Sequence, residues 1–106
     1  MKALAGITII SAALLAGCES GDIKTAKETV ASELRDPESA QFRNIIKTKE
    51  NEWGVVTVCG EVNGKNSYGG YVGFQRFVNS PPSNRVYMEK SWLTFDDLWD
   101  DNCSNS

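Results

Sequence analysis

The chain has 106 residues, 41% of them hydrophobic, with three cysteines, no histidine and a formal net charge of −3. A chain of this length has room for one small domain whose core is of marginal size. Mild acidity without a basic cluster argues against nucleic acid, and the lack of histidine removes the usual general base near neutral pH.

Residues 3–15 form an apolar run of 13 that follows Lys2 and precedes small residues. A bilayer core of about 30 Å needs about 20 helical residues, so the run has the dimensions of a secretory signal, not of a membrane span. Leu15-Ala16-Gly17-Cys18 closes it. These four residues resemble the lipobox of bacterial lipoproteins. The resemblance implies cleavage before Cys18, a diacylglyceryl group on its sulfur and an acylated amino end, and several acyl chains hold a protein to a membrane far more firmly than one. A plain secretion signal with a free thiol is the alternative.

On the lipoprotein reading, residues 1–17 are the signal and 18–21 the lipidated cysteine with a short polar tether. Residues 22–103 are then a single periplasmic domain and 104–106 a tail. Lys2 is the one charge removed, so the remaining 89 residues carry ten basic against fourteen acidic side chains, net −4. Attachment to anionic lipid by charge is disfavoured, and anchoring falls to covalent lipid at Cys18. In enteric lipoproteins an aspartate after the cysteine tends to signal inner-membrane retention. Glu19 stands there instead, which points to the outer membrane, facing the periplasm.

With Cys18 consumed by lipid, Cys59 and Cys103 remain as a pair. Outside the cytosol two such cysteines form a disulfide, with two free buried thiols as the bland alternative. Closing a loop of about 44 residues stabilises a fold by roughly 4 kcal/mol in the chain-entropy model. A zinc site is disfavoured, because no histidine accompanies the pair.

Along the domain, Ile23, Ala26, Val30 and Leu34 recur at intervals of three and four, which predicts a helix over 22–35. Asp36-Pro37 stops it and starts a short turn, with Asp36 as cap and Pro37 in the first helical position. Phe42 reads as a core anchor. Residues 42–49 alternate loosely as a first strand, and Glu50-Asn51-Glu52 reads as a hairpin tip. Residues 53–62 form a β-branched second strand around Cys59. A third strand covers 72–78, interrupted by Gly73. Residues 80–84 turn the chain, and 85–90 form a fourth strand. Thr94 and Asp97 resemble a capping box that opens a short acidic helix to about Asp101. The fold class is α+β: an N-terminal amphipathic helix packed as one layer on a three- to four-stranded antiparallel sheet, with a short C-terminal helix stapled to the second strand.

Residues 59–77 hold five glycines, several amides, two tyrosines and two phenylalanines. Glycine permits close backbone approach, amides donate and accept, and tyrosine supplies rigid amphipathic contact area. Asn63, Lys65, Asn66, Tyr68, Gly69, Gly70 and Tyr71 are the candidate binding residues. The alternative is a glycine-rich connection whose aromatics complete a small core, with Phe74 and Phe77 as core rather than contact. Asp96, Asp97, Asp100 and Asp101 read as a solvated acidic face, without the spacing of a calcium loop. No catalytic residue, metal or cofactor is implied.

Asp36-Pro37-Glu38-Ser39-Ala40-Gln41-Phe42-Arg43, followed by Cys59-Gly60-Glu61-Val62-Asn63-x-Lys65-Asn66-x-x-Gly69-Gly70-Tyr71-x-Gly73-Phe74, resembles a group of small, mostly uncharacterised proteins of Gram-negative bacteria and their prophages. The likeness covers about residues 28–78 and implies origin and fold, with no activity to carry over. The expected function is a non-enzymatic, membrane-anchored envelope lipoprotein that binds another envelope component, as a prophage exclusion or accessory factor. The alternative is a periplasmic inhibitor of a lysozyme-type hydrolase. A cell-wall enzyme using the terminal aspartates ranks behind both.

Overall fold

The computed structural model describes residues 19–104. The apolar run at 3–15, the cleavage position and Cys18 lie outside the described residues, as do Asn105 and Ser106. Among the described residues no helix is long and apolar enough to cross a membrane.

Helix α1 spans Gly21–Ser32 and begins at a serine cap: Ser20 Oγ accepts the Asp22 N–H at 3.2 Å. Asp22 also places a negative charge at the positive end of the helix dipole. Ala26 and Val30 are fully buried, with Ile23 and Leu34 packed beside them, so the apolar spacing marks the buried face correctly. The helix ends at Ser32, earlier than its pattern predicts. The Glu33 and Leu34 N–H groups close tighter bonds to Val30 and Ala31. A 3-10 turn over Pro37–Ser39 follows. The Asp36 carboxylate does not cap it, contrary to expectation; its backbone carbonyl instead accepts both the Ser39 N–H (3.0 Å) and the Ser39 hydroxyl (2.7 Å).

Four antiparallel strands follow in chain order: β1 (Gln41–Lys47), β2 (Val58–Asn63), β3 (Gln75–Asn79) and β4 (Val86–Met88). Every strand is shorter than its sequence pattern. The β-branched run at 53–57 lies outside the sheet because Asn51 builds a turn there. Its Oδ1 accepts the Trp53 and Val55 N–H groups, both at 2.9 Å, and Gly54 takes φ +75°. The hairpin tip is therefore centred on residues 51–55 rather than 50–52. Strand β3 starts after Gly73, whose φ of +103° ends extended geometry. After β4 the chain forms a 3-10 turn over Glu89–Ser91.

Register separates the two faces of the sheet. Phe42 pairs with Val62, Gly60 with Phe77 and Phe77 with Met88, so these residues share the face covered by α1. Between Arg43 and Ile46 the register slips by one residue, a bulge where Asn44 sits at φ +55°. The extra residue lets Phe42 and Ile45, three apart, both face the helix. That explains the loose alternation in this strand. Phe77 is fully buried, and its ring meets Phe42 edge-on at 5.9 Å. Burying such a side chain contributes about 1.5–3 kcal/mol.

The opposite face carries Cys59, Val78 and Tyr87. Helix α2 (Phe95–Asn102) covers it with Phe95, Leu98 and Trp99. The sheet is thus sandwiched between two helices, rather than carrying helix on one side alone. The capping box is not formed: the Thr94 side chain makes no cap bond, and its carbonyl accepts the Leu98 N–H at 3.2 Å. Cys103, one residue past the helix, is disulfide-bonded to Cys59 with Cα atoms 6.1 Å apart. Both cysteines are buried, so the staple holds α2 against the start of β2.

Helix α1 runs antiparallel to β1, which gives the domain two distinct ends. At one, Lys47 Nζ lies 3.3 Å from Ser20 Oγ and 3.8 Å from Asp22. At the other, Leu34 packs under Gly64 so closely that a Cβ there would meet Leu34 Cδ1 at 3.0 Å. The amino-terminal end of the domain therefore shares a pole with the β1–β2 turn. The glycine-rich β2–β3 connection occupies the opposite pole.

Candidate recognition loop

The β2–β3 connection continues the strands as a narrow hairpin. Val72 N–H bonds Gly64 O (3.3 Å), Lys65 and Tyr71 form an antiparallel bridge, and Asn66 N–H bonds Gly70 O at 2.8 Å. At the tip Asn66 Oδ1 accepts the N–H groups of Tyr68 (2.9 Å) and Gly70 (3.1 Å), while Gly69 takes φ +84°. A side-chain amide thus does the work of a backbone turn, which is why asparagine and glycine stand where they do. At the base Asn63 Oδ1 accepts the Gly73 N–H at 2.9 Å.

The hairpin is braced from outside by Ser39. Its hydroxyl accepts the Lys65 N–H (2.9 Å) and its carbonyl accepts the Tyr71 hydroxyl (3.1 Å). Lys65 Nζ lies 5.6 Å from the centre of the Tyr71 ring. The two separate sequence segments, 36–43 and 59–74, therefore meet at one pole of the fold. Arg43 adds a second junction between them. Its guanidinium stacks 3.8 Å from the Phe74 ring centre, and its Nε donates to Glu61 at 2.8 Å. Glu61 also accepts from Asn44, and the Arg43 hydrogen bond, then the Asn44 one, hold its carboxyl below the usual range.

The candidate residues divide into two kinds. Tyr68, at 96% exposure, projects from the tip; Gly69, Gly70, Tyr71 and Val72 are also exposed. Asn63 is buried and Asn66 spends its carbonyl oxygen on the loop itself, so both shape the loop rather than offer that oxygen outward. Lys65 is half-buried between the two. Phe77 is core as expected; Phe74 is half-buried under Arg43, in neither the core nor free contact. Ser39, Arg43 and Val72 escaped the sequence reading, although Ser39 and Arg43 lie in the first recognised segment. Beside the hairpin, a cleft of about 260 Å³ is lined by Leu34, Arg35, Gly64, Lys65, Val72 and Gln75. It is below the usual volume of a small-molecule site and suits a side chain or a stretch of polypeptide.

Elsewhere polar chemistry is structural. Arg76 donates to Glu89 through its backbone N–H (2.9 Å) and its guanidinium (3.1 Å), and pairs with Asp96 on α2. The backbone N–H, then the guanidinium, lower the Glu89 pKa, and the Glu89 bond raises that of Arg76. The guanidinium also lies 5.1 Å from the ring centres of Phe95 and Trp99, pinning the start of α2. Asp97, Asp100 and Asp101 are exposed. Among the described residues no group of three or more histidine, cysteine, aspartate or glutamate side chains is placed to hold a metal ion.

No family model, curated protein or solved structure matches the chain.

Proposed function

We propose that the chain is a lipid-anchored envelope protein that presents the β2–β3 hairpin to another envelope component and performs no chemistry of its own. The observation that carries this reading is the position of the hairpin: an internally braced, tyrosine-tipped loop at the pole opposite Glu19, which follows the candidate lipid-bearing Cys18. A partner arriving from the aqueous side would meet Tyr68 first. Bracing by Asn63, Asn66 and Ser39 lowers the ordering cost of binding, and a tyrosine gives large contact area for few rotatable bonds. Tyr68 offers about 150–250 Å² and the 44% exposed Tyr71 about half as much, so the hairpin alone supports a weak contact that the adjoining cleft would extend.

The lipobox and Glu19 support placement in the outer membrane, facing the periplasm. The resemblance to prophage-borne proteins supports a role in exclusion or as an accessory factor. The test is affinity capture from detergent-solubilised envelopes with the native chain, Tyr68→Ala and Tyr71→Phe, alongside mass spectrometry of Cys18. A partner captured by the native chain and lost with Tyr68→Ala is expected, together with acylated Cys18. Identical capture by all three chains would refute the role of the loop.

A further inference from the structure

The β1–β2 turn at the other pole carries the largest isolated apolar exposure outside the recognition loop and the Trp92-Leu93 connection. On this projection Trp53 is 77% exposed and Val55 40%, and Ile46, in the adjoining strand β1, is 38% exposed. The projection is built, not frayed. Thr48 and Thr57 close its base through two bonds (2.9 and 3.0 Å), Asn51 N–H bonds Val55 O, and Asn51 Oδ1 fixes the Trp53 and Val55 amides. A tryptophan held outward on an ordered turn, two residues from a second exposed apolar side chain, Val55, offers an apolar contact surface.

We infer that this turn is a membrane-contact element, in which Trp53 and Val55 enter the headgroup layer of the bilayer that anchors the chain. The occupant follows from reach. The apolar run at 3–15 and Cys18 lead directly into Glu19, which is itself ion-paired with Lys27 on α1 and so leaves little slack. Two residues separate Cys18 from the first residue of α1, three steps that span at most about 11 Å of chain when extended. Lys47 stands against Ser20 and Asp22 at that same helix end. The hairpin runs three residues beyond Thr48 to Asn51, about 10 Å at about 3.3 Å each, before its turn presents Trp53 at the tip. That distance is close to the depth of one headgroup layer, about 5–8 Å. A domain held by so short a tether brings the turn to the lipid surface, where tryptophan partitions between apolar and wet zones.

Charge does not drive the contact. Residues 47–55 hold two lysines and two glutamates, and Asp101 adds an acidic group beside Thr48 on the same cleft wall. The attraction is apolar, so it is insensitive to salt and gains nothing from anionic lipid. Its consequence is orientation: a second contact point beside the anchor stops the domain from lying flat and holds the tyrosine hairpin toward the aqueous side.

This inference rests on the anchoring proposed above, and one experiment separates the two. The full native chain is reconstituted into phosphatidylethanolamine vesicles containing a phospholipid brominated near the headgroup end of its acyl chain, floated, and its tryptophan emission measured against Trp53→Ser. The expected result is flotation of both proteins, strong quenching of the native chain and loss of the quenched fraction in Trp53→Ser, unchanged at 0.5 M salt. Flotation with emission that is unquenched, or quenched equally in both, overturns the turn contact while the anchor stands. Failure to float overturns both. Floated protein whose Trp53 emission is shielded yet unquenched by the brominated lipid would assign the turn to a second copy of the chain, and would also overturn it.

Discussion

Replacing Gly60 by alanine probes the point where β1, β2 and β3 press most tightly together. A Cβ on Gly60 would overlap Ile45 Cδ1 and lie 3.2 Å from Phe77 Cε2 and Cζ. Overpacking of this kind costs about 1–3 kcal/mol. Loss of backbone freedom in the unfolded chain offsets about 0.4–1 kcal/mol of that. A net destabilisation of about 1–2 kcal/mol is expected, and for a domain of this size each kcal/mol lowers Tm by about 4–8 °C. Ile45→Val alone removes the clashing methyl group and should cost about 0.5–1.5 kcal/mol. In the Gly60→Ala background the same change should cost nothing or restore stability, because the new methyl group fills the vacated space. Urea unfolding of the oxidised protein, with unchanged m values, measures the four corners of this cycle. Costs that add within about 0.5 kcal/mol would show that Ile45 does not pass over Gly60, and the bulge at Asn44 would lose its assigned purpose.

Reduction of the Cys59–Cys103 bond should lower stability by about 4 kcal/mol, judged from its 44-residue loop, and should release α2 as seen by Trp99 emission; an unchanged urea midpoint would refute the staple. Glu89 and Glu61 have folded pKa values below their unfolded ones, so their stabilisation is complete above about pH 4.3 and fades as pH falls through the folded values. Glu89→Gln should therefore flatten the acid limb of stability between pH 5 and 3, and an unaltered slope would count against the Arg76 pairing. Asn66→Ala removes two accepted hydrogen bonds at the hairpin tip, about 0.5–1.5 kcal/mol each, so amide exchange at Tyr68 and Gly70 should accelerate while Phe77 stays protected. Equal exchange in both proteins would mean that the loop is ordered by other means.

Local pattern carried a good part of the architecture. The three-and-four spacing of Ile23, Ala26, Val30 and Leu34 marks the buried face of α1, because helical period and burial are the same information. Cys59 and Cys103 were legible as a pair by counting. The candidate loop was legible in composition, but the roles within it were not. Asn63 and Asn66 resemble contact residues in sequence; their oxygens are consumed by Gly73, Tyr68 and Gly70, partners that only the folded hairpin supplies. The early end of the β-branched run failed for a similar reason, since Asn51 competes for the amides at 53 and 55 that a strand would have used.

By itself, then, the order of residues determined the helix, the succession of strands and the oxidisable pair. Tertiary structure alone decided that α2 closes the face opposite α1, that Ser39 braces Tyr71, and that the tyrosine hairpin and the Trp53 turn point to opposite poles. The physical reason is range. Periodicity says which side of an element is buried, whereas register, crossing direction and partner choice arise from contacts between residues tens of positions apart, and one extra residue at Asn44 is enough to reassign a face.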